Sequence, residues 1–329
     1  MSEKSIFVQL AEHIGHGDSK YIPDIFKVLA SEDEAKLLVA AKAPSTIRAL
    51  QEQIGFSEEV IGKMLDDLFY KGLLFKSKKP DGIKYYTVRN VIQFHDSTII
   101  VDDPSQEMLD LWKKYNNEEW APYFANLSTI FAVPPTRVIA INQSIDSQSK
   151  VLSFDDITKA VDGARTIAVA RCSCRVVDGS CGMPVETCIQ IDKAADYALE
   201  RGTGREITQD RAVEILKDCG EKGLVHVAAN KQGLGMTICN CCKDCCENWP
   251  GGDQFVAPSR YAAKVDSETC SGCEECSERC FFDAIHIDGD KDIAVVDMDR
   301  CKGCGVCQTG CPEDAIQLEI VRPEEFIPA

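Results

Sequence analysis

The chain has 329 residues and a formal net charge of −17; 44% of its residues are hydrophobic and 27% are charged. This length and composition predict a globular protein of two or three domains, each with a buried core, and argue against a disordered or fibrous chain. The first residues lack an apolar core followed by a small-residue cleavage site, and no apolar run approaches the roughly 20 residues of a membrane helix. We therefore expect a cytoplasmic protein without a membrane span.

The chain contains 18 cysteines. In a short secreted protein such a number would suggest a disulfide framework. Here nothing favours export, and most of the cysteines fall into groups with the spacing of metal ligands. We expect a reducing, low-oxygen compartment in which these thiols are free to bind metal.

Residues 1–95 show helical periodicity followed by a hairpin signal. Apolar spacing and helix breakers predict helices over Ser5–Ile14, Ile22–Ala30, Glu32–Lys42, Thr46–Gln53 and Ser57–Lys71. Two alternating runs follow, Leu73–Lys76 and Lys84–Val88, on either side of Pro80-Asp81-Gly82. We predict one N-terminal domain of helices that ends in a two-stranded hairpin.

This arrangement of three helices and a two-stranded wing resembles the winged helix-turn-helix superfamily. The segment Leu65–Leu74 is similar to the end of its recognition helix and the first strand of its wing. The resemblance implies a fold, and a fold does not by itself assign a function.

The charges on this predicted recognition helix argue against contact with DNA. A helix that reads DNA usually presents Arg, Lys, Asn or Gln to bases and phosphates. This helix instead presents mostly acids, in the set Ser57, Glu58, Glu59, Lys63, Asp66 and Asp67. The wing is basic, with Lys76, Lys78, Lys79 and Lys84. We therefore expect a protein-docking role, and DNA binding stays open as the alternative.

Residues 96–260 are predicted to form a small α/β domain, because strand-like runs alternate with helical ones. The predicted strands are Thr136–Ile141, Arg165–Ala170 and Leu224–Ala228. The predicted helices lie over Asp103–Asn126, Phe154–Ala164, Ile189–Glu200 and Thr208–Lys222.

Two groups of cysteines follow the second and third of these strands. The first group has the pattern Cys172-x-Cys174-x6-Cys181-x6-Cys188, and the second has the pattern Cys239-x-Cys241-Cys242-x2-Cys245-Cys246. If the two strands are neighbours, both groups emerge at one edge of the sheet and converge on one metal site. Arg171 and Arg175 flank the first group and could offset the negative charge of thiolates.

We interpret these middle cysteines as ligands of a third [4Fe-4S] cluster. The expected ligands are Cys174, Cys181 and Cys188 with one of Cys241, Cys242 or Cys245. A zinc site and a redox-active thiol pair are the alternatives. Cys219 stands alone in a helix and is expected to be a small buried apolar residue.

Residues 261–329 contain an internal repeat of four cysteines. The first run is Cys270-x2-Cys273-x2-Cys276-x3-Cys280, and the second is Cys301-x2-Cys304-x2-Cys307-x3-Cys311-Pro312. A constant offset of 31 residues relates the two runs and also relates Asp283-Ala284-Ile285 to Asp314-Ala315-Ile316. Thiolates at this spacing are the bacterial pattern for two iron–sulfur clusters. Two four-cysteine zinc sites are the alternative, although zinc ribbons use paired knuckles rather than complete four-cysteine runs.

Residues 261–320 resemble the bacterial 2[4Fe-4S] ferredoxins. In that family the fourth cysteine of each run crosses to the other cluster. The resemblance implies that one cluster is held by Cys270, Cys273, Cys276 and Cys311, and the other by Cys301, Cys304, Cys307 and Cys280. Phe281 departs from the family pattern, which usually has a proline after the fourth cysteine.

The charge of this region suggests how it meets a partner. Residues 261–329 contain 16 acidic and six basic residues, whereas residues 1–90 contain 13 of each. An acidic surface suits a redox partner with a basic docking patch, because complementary charge steers encounter.

The predicted fold class is multidomain α+β, with domains at residues 1–95, 96–260 and 261–329. The whole chain also looks like multidomain iron–sulfur proteins of anaerobic bacteria, on the strength of Arg171–Arg175 and Ile238–Cys242. We predict an electron-transfer protein or subunit that exchanges low-potential electrons with a partner oxidoreductase in anaerobic metabolism. No catalytic residue is assigned. The alternatives are a redox-sensing DNA-binding regulator and a reductase with a catalytic middle cluster.

Overall fold

A computed structural model describes residues 4–80, 82–128, 130–141 and 156–329. The chain forms two compact units. The N-terminal unit comprises Met1–Ala121, Val176–Asp178 and Arg201–Thr203, and the C-terminal unit comprises Pro122–Arg175, Gly179–Glu200 and Gly204–Ala329. All 18 cysteines therefore belong to the C-terminal unit.

The N-terminal unit consists of helices and one antiparallel hairpin. Its elements are α1 (Ile6–His13), α2 (Ile22–Leu29), α3 (Glu32–Ala40), α4 (Ile47–Ile54), α5 (Glu58–Tyr70), β1 (Leu74–Lys79), β2 (Gly82–Thr87), α6 (Val91–Ile99), α7 (Gln106–Tyr115) and the π-helical turn Asn116–Trp120. The predicted helices and hairpin are present, and Asp81 in the predicted turn lies outside the described residues. Helix α6 is an addition to the prediction. The Asn90 side chain caps it by accepting a hydrogen bond from the Gln93 N–H at 2.8 Å.

An aromatic cluster forms part of the core of this unit. Phe26 of α2 and Phe94 of α6 stack with ring centroids 4.1 Å apart, and Trp112 of α7 packs edge-on against Phe94 at 5.1 Å. All three side chains are fully buried. Because aromatic side chains remove large apolar areas from water, this cluster fixes the packing of the three helices.

Glu34 joins the start of α3 to the end of α5. Its carboxylate accepts hydrogen bonds from the Ser31 N–H at 2.7 Å and from Lys71 Nζ at 2.9 Å, and the Ser31 side chain completes a capping box. Burial alone would raise the pKa of Glu34, but the hydrogen bonds from Lys71 and Ser31 lower it to about 2. The ionised carboxylate is therefore favoured by the folded state.

The C-terminal unit contains a large sheet and, beyond it, the repeated cysteine region. The elements of the first part are α8 (Ala121–Ser128, beginning at the last residue of the N-terminal unit), β3 (Thr136–Ile139), α9 (Ile157–Asp162), β4 (Ile167–Arg171), α10 (Ser173–Asp178, whose last three residues belong to the N-terminal unit), β5 (Glu186–Ile191), α11 (Lys193–Arg201, whose last residue belongs to the N-terminal unit), β6 (Gly204–Glu206), α12 (Gln209–Glu221), β7 (Val225–Ala229), β8 (Thr237–Cys241), α13 (Gly252–Phe255) and β9 (Val256–Ala257). The strand order is β6-β4-β5-β8-β7-β3-β9, and every neighbouring pair is antiparallel except β3 with β9.

This sheet corrects one predicted helix and does not meet the condition that was set for a shared metal site. Residues 189–191, which were expected to begin a helix, instead end strand β5, where Thr187, Ile189 and Ile191 alternate inward in the period-two pattern of a strand. The helix starts only after Asp192, whose φ of 52° breaks the strand. The second and third predicted strands, now β4 and β7, are not neighbours, because β5 and β8 lie between them. The predicted helix over Phe154–Ala164 is present as α9, and Phe154 lies outside the described residues.

The repeated region forms two similar halves. Its elements are β10 (Tyr261–Val265), α14 (Glu275–Glu278), β11 (Ile285–Asp288), β12 (Ile293–Val296), α15 (Val306–Thr309) and β13 (Ile316–Ile320). Helices α14 and α15 are separated by the same 31 residues that separate the cysteine runs. The first and last strands, β10 and β13, pair with each other, as do β11 and β12. Each half thus contributes one strand to each two-stranded sheet.

The Glu34 contacts give a prediction about stability. Replacing Glu34 with Gln should lower the free energy of unfolding of the α3–α5 region by about 1–3 kcal/mol at pH 7, because the charged hydrogen bonds are lost. In the native chain this contribution is fully present above the ordinary pKa of 4.5 and is lost as the pH falls through about 2. Native-state hydrogen exchange of the α3 and α5 amides should therefore differ between the two proteins at pH 7 and converge towards pH 2.

A matched control is Glu52→Gln, which removes an exposed ion pair with Arg48 at 3.1 Å. Exposed pairs of this kind contribute little, so exchange should hardly change. Equal effects of the two substitutions would show that the Glu34 contacts have no special role.

Candidate iron–sulfur site and the cysteines of the middle region

Four cysteines from both runs line one pocket in the repeated region. They are Cys270, Cys273, Cys276 and Cys311. Apolar side chains that include Ile287, Ala294 and Ile316 complete the wall. The structure thus brings the last cysteine of the second run to the first three of the first run.

The other four cysteines also lie near one another. The pKa of the Cys307 thiol is raised by burial and further by the neighbouring Cys304, Cys301 and Cys280. Burial and the same neighbours, Cys301 and Cys280, raise the pKa of Cys304 to about 12. Crowded thiols resist ionisation because each thiolate repels the next. A bound metal removes this penalty, and the grouping therefore fits a thiolate-ligated centre.

The two groups are close to each other. Cys276 of the first group is among the charges that raise the pKa of Cys307 in the second. The pKa of Cys276 itself is raised to about 11, first by burial and then by Cys270, Cys273 and Cys311. Neighbouring centres are what exchange of electrons between them requires.

Backbone N–H groups point at several of these sulfurs. The Ala284 N–H lies 3.2 Å from Cys280 Sγ, and the Ala315 N–H lies 3.3 Å from Cys311 Sγ. These two alanines occupy equivalent positions in the repeat. The Ala294 N–H lies 3.4 Å from Cys270 Sγ. Such donors favour thiolates and adjust the reduction potential of a cluster.

Two glycines keep the cysteine loops close to the surrounding backbone. Gly272 and Gly303 have φ values of 68° and 64°, which L residues rarely adopt. A Cβ on Gly303 would collide with the Tyr261 carbonyl oxygen, and one on Gly272 would collide with the Asp292 carbonyl oxygen. The repeat therefore requires glycine directly before the second cysteine of each run.

Acidic side chains surround the exposed side of the first group. Cys273 is itself exposed. Glu274, Glu275 and Glu313 line the same pocket and are exposed to solvent. Some of the acidic residues of this region thus lie beside Cys273, the exposed cysteine of the first group.

Three middle cysteines form a compact group. The Sγ atoms of Cys181, Cys242 and Cys245 all lie within 4.8 Å of one another. Burial opposes ionisation of Cys242, but hydrogen bonds from the Cys245 N–H, from Arg175 and from Cys181 leave its pKa below the usual value. Of these three, Cys181 was an expected ligand of the predicted third cluster, and Cys242 and Cys245 were alternatives for its fourth ligand.

Other middle cysteines form a separate chain of thiol contacts. Cys174 hydrogen-bonds with Cys172 and Cys246. Cys241 in turn hydrogen-bonds with Cys246 and Cys239.

The cysteines predicted to bind the third cluster therefore lie in different groups. Cys174 and Cys241 belong to the chain of thiols, and the Cys188 sulfur accepts a hydrogen bond from Gln190 Nε2 at 3.0 Å. Cys172, Cys239 and Cys246 were not among the predicted ligands. A signal for Cys239 was present, since residues two apart on a strand share a face and Cys241 is two residues on.

The loop after β8 packs against the repeated region. Trp249 Nε1 donates a hydrogen bond to the Cys242 carbonyl at 3.0 Å, and its ring packs against Phe281 and Phe282 at centroid distances of 4.7 and 5.5 Å. Lys243 Nζ pairs with Asp283 at 3.0 Å. Phe281, the residue that departs from the ferredoxin pattern, thus provides an aromatic contact that proline could not.

Comparison with known proteins identifies one part of the chain. Residues 263–318 match the family model of the 4Fe-4S dicluster domain. Neither the search of curated proteins nor the search of solved structures gave a significant match. Within the described residues, no helix combines the length and apolarity needed to cross a bilayer. The chain therefore contains a ferredoxin-type 4Fe-4S domain, and a cysteine-rich region of mixed helix and sheet precedes it.

Proposed function

We propose that the chain is an electron-transfer protein or subunit that passes low-potential electrons to or from a partner oxidoreductase in anaerobic metabolism. The observation that carries the proposal is the crossed grouping of cysteines within a segment that matches a dicluster family. We assign Cys270, Cys273, Cys276 and Cys311 to one [4Fe-4S] cluster. The other takes Cys301, Cys304, Cys307 and Cys280. Bound clusters supply one-electron chemistry.

The protein's own groups adjust this chemistry. The N–H groups of Ala284, Ala294 and Ala315 stabilise negative charge on sulfur. Buried apolar residues, such as Ile316 and Ala294, keep water from the thiols. The N–H donors raise the reduction potential of a cluster, whereas the nearby acids lower it, because added negative charge disfavours reduction. This combination suits a low-potential carrier.

We propose three domains, at residues 1–95, 96–260 and 261–329, in a cytoplasmic protein. For the middle domain, the cysteine pattern predicts a third [4Fe-4S] cluster, with a zinc site or a redox-active thiol pair as the alternatives. The middle cysteines divide into two groups, and this supports a centre with fewer cysteine ligands than the four of the predicted cluster.

For the first domain we propose a winged-helix fold that docks on protein. The order α3, α4, α5, β1, β2 and the β-bridge between Ser45 and Tyr85 support that fold. Glu58, Glu59 and Asp66 on α5 are exposed, which supports docking on protein rather than DNA. The basic wing is partly engaged within the domain, since Lys76 lies over the Phe69 ring at 3.8 Å.

The cluster assignment predicts the effect of removing one crossing ligand. Replacing Cys311 with Ser should lower the iron content from about eight atoms per chain towards four, because one of two four-iron clusters loses a thiolate. Iron and sulfide counting after anaerobic purification, with EPR of the reduced protein, measures this loss. Cys219→Ala is the control, since Cys219 is a buried residue in the apolar core of the large sheet and belongs to neither four-cysteine group. Full iron content in the Cys311 variant would contradict the assignment.

The docking proposal predicts a local effect of charge. Replacing Glu275 and Glu313 with Lys should slow electron transfer to cytochrome c, a basic one-electron acceptor, several-fold at low ionic strength. The difference should vanish at about 1 M salt, where the screening length is about 3 Å. Stopped-flow absorbance gives the rates.

A double variant of Glu324 and Glu325 to Lys is the matched control. It changes the net charge equally, and both residues are exposed near the C-terminus. Equal slowing in the two variants would mean that overall charge, not the acids beside Cys273, governs the encounter.

The N-terminal proposal predicts that the full chain does not bind DNA. In mobility-shift assays with promoter-length fragments at low salt, neither the oxidised nor the reduced protein should be retained, because the acids of α5 repel phosphate. Retention that changes with the redox state would instead favour the DNA-binding regulator.

A further inference from the structure

We propose that Cys181, Cys242 and Cys245 bind a single thiophilic divalent metal ion, of which Zn²⁺ is the best match. This site is separate from the two ferredoxin clusters and does not depend on the proposed electron-transfer function. The inference starts from the spacing of the three sulfurs, which all lie within 4.8 Å of one another.

The spacing distinguishes one ion from a cluster. Thiolates that share one tetrahedral zinc at about 2.3 Å lie about 4 Å apart. In a cubane each thiolate binds a different iron, so the sulfurs are farther apart. Among the described residues, no other three cysteines are this close together. The middle group is therefore more compact than the two four-cysteine groups of the same chain.

The local sequence also fits one ion. Cys242-x2-Cys245 has the spacing of a zinc knuckle, and Cys181 joins it from the loop between α10 and β5. Three protein ligands leave the fourth position of a tetrahedral ion to water or another small ligand. Cys181 is half-buried, which gives that position access to solvent, and Ser180 Oγ lies 3.6 Å from Cys245 Sγ.

A buried arginine balances the charge of the occupied site. Arg175 is only 2% exposed, and its largest charge interactions are with Cys172, Cys242 and Cys181. Its guanidinium also donates to Thr187 Oγ1 at 2.7 Å and to the carbonyls of Pro184 and Asn240. A divalent ion with three thiolates carries a charge of about −1, which one guanidinium neutralises. Arg175 thus supplies the counter-charge for the occupied site.

The proposed ion would position the loop that meets the ferredoxin domain. Cys242 holds Trp249 through its carbonyl, and Trp249 packs on Phe281, the residue after Cys280. Fixing Cys242 and Cys245 to Cys181 would restrict that loop. The role of the ion is then structural: it supports the packing beside one proposed cluster ligand.

The test uses the full chain purified anaerobically. We expect one zinc per chain in addition to the iron and sulfide of the two clusters, and zinc-edge X-ray absorption should show three sulfur ligands at about 2.3 Å. Cys181→Ser should remove most of this zinc and leave iron, sulfide and the EPR signal unchanged. Cys219→Ala should leave all of these quantities unchanged. The half-buried position of Cys181 makes its serine variant the least disruptive choice, and the unchanged EPR signal reports that it has folded.

Three results would overturn the proposal. About four additional irons with sulfide that disappear in Cys181→Ser would mean a third cluster. Unchanged zinc in that variant would place the metal elsewhere. A chain without zinc, in which Cys242 and Cys245 are joined in a disulfide, would mean a redox dithiol. An additional iron without sulfide, lost in the variant, would support a mononuclear site with another divalent ion.

Discussion

The fold of the C-terminal unit depends on how it accommodates thiol groups that lie close enough for their thiolates to repel one another. Each thiolate raises the pKa of its neighbours, as the values of about 11 for Cys276 and about 12 for Cys304 indicate, and burial adds to the same effect. Such a group is stable only with positive charge beside it or with its protons retained. Metal supplies that charge most directly, and folding and metal binding are then coupled. The ferredoxin-type domain has a small core around its thiols, so this coupling should be strong.

The middle region meets the same constraint differently. There a protein cation, Arg175, is buried beside Cys242 and Cys181, whereas the ferredoxin thiols Cys270, Cys280 and Cys311 accept hydrogen bonds from backbone N–H groups. Burying a guanidinium is costly, and an ionised Cys242 beside it offsets part of that cost, consistent with the lowered pKa of this thiol. A full positive charge stabilises more negative charge on a group of thiolates than N–H dipoles do. The surroundings of the thiols therefore limit the negative charge of the metal centre that they can bind. The two regions are therefore suited to different centres.

The repeat made the C-terminal region predictable from sequence, whereas the middle region was not. An offset of 31 residues already relates the cysteines, the glycines and the short helices. In the middle, the grouping of cysteines depends on strand order, which local patterns do not determine. β5 and β8 separate β4 from β7, and β8 itself carries Cys239 and Cys241. The segment Ile189-Gln190-Ile191 has too few residues for its period to distinguish a strand from a helix.

Phe281 joins the repeated region to the loop that follows β8. A proline at this position would stiffen the chain after Cys280, but it would offer no aromatic surface. Phe281 packs on Trp249, and Lys243 pairs with Asp283 from the same loop. In addition, the Ile141 N–H donates to the Cys304 carbonyl at 2.9 Å, and Arg279 Nη2 donates to the Glu221 carbonyl at 3.0 Å. Loops of both cysteine runs are thus supported from outside the repeat. A free ferredoxin must stiffen those loops with its own residues, whereas here neighbouring elements share that role, so the repeated region should be less stable when it is separated from the sheet.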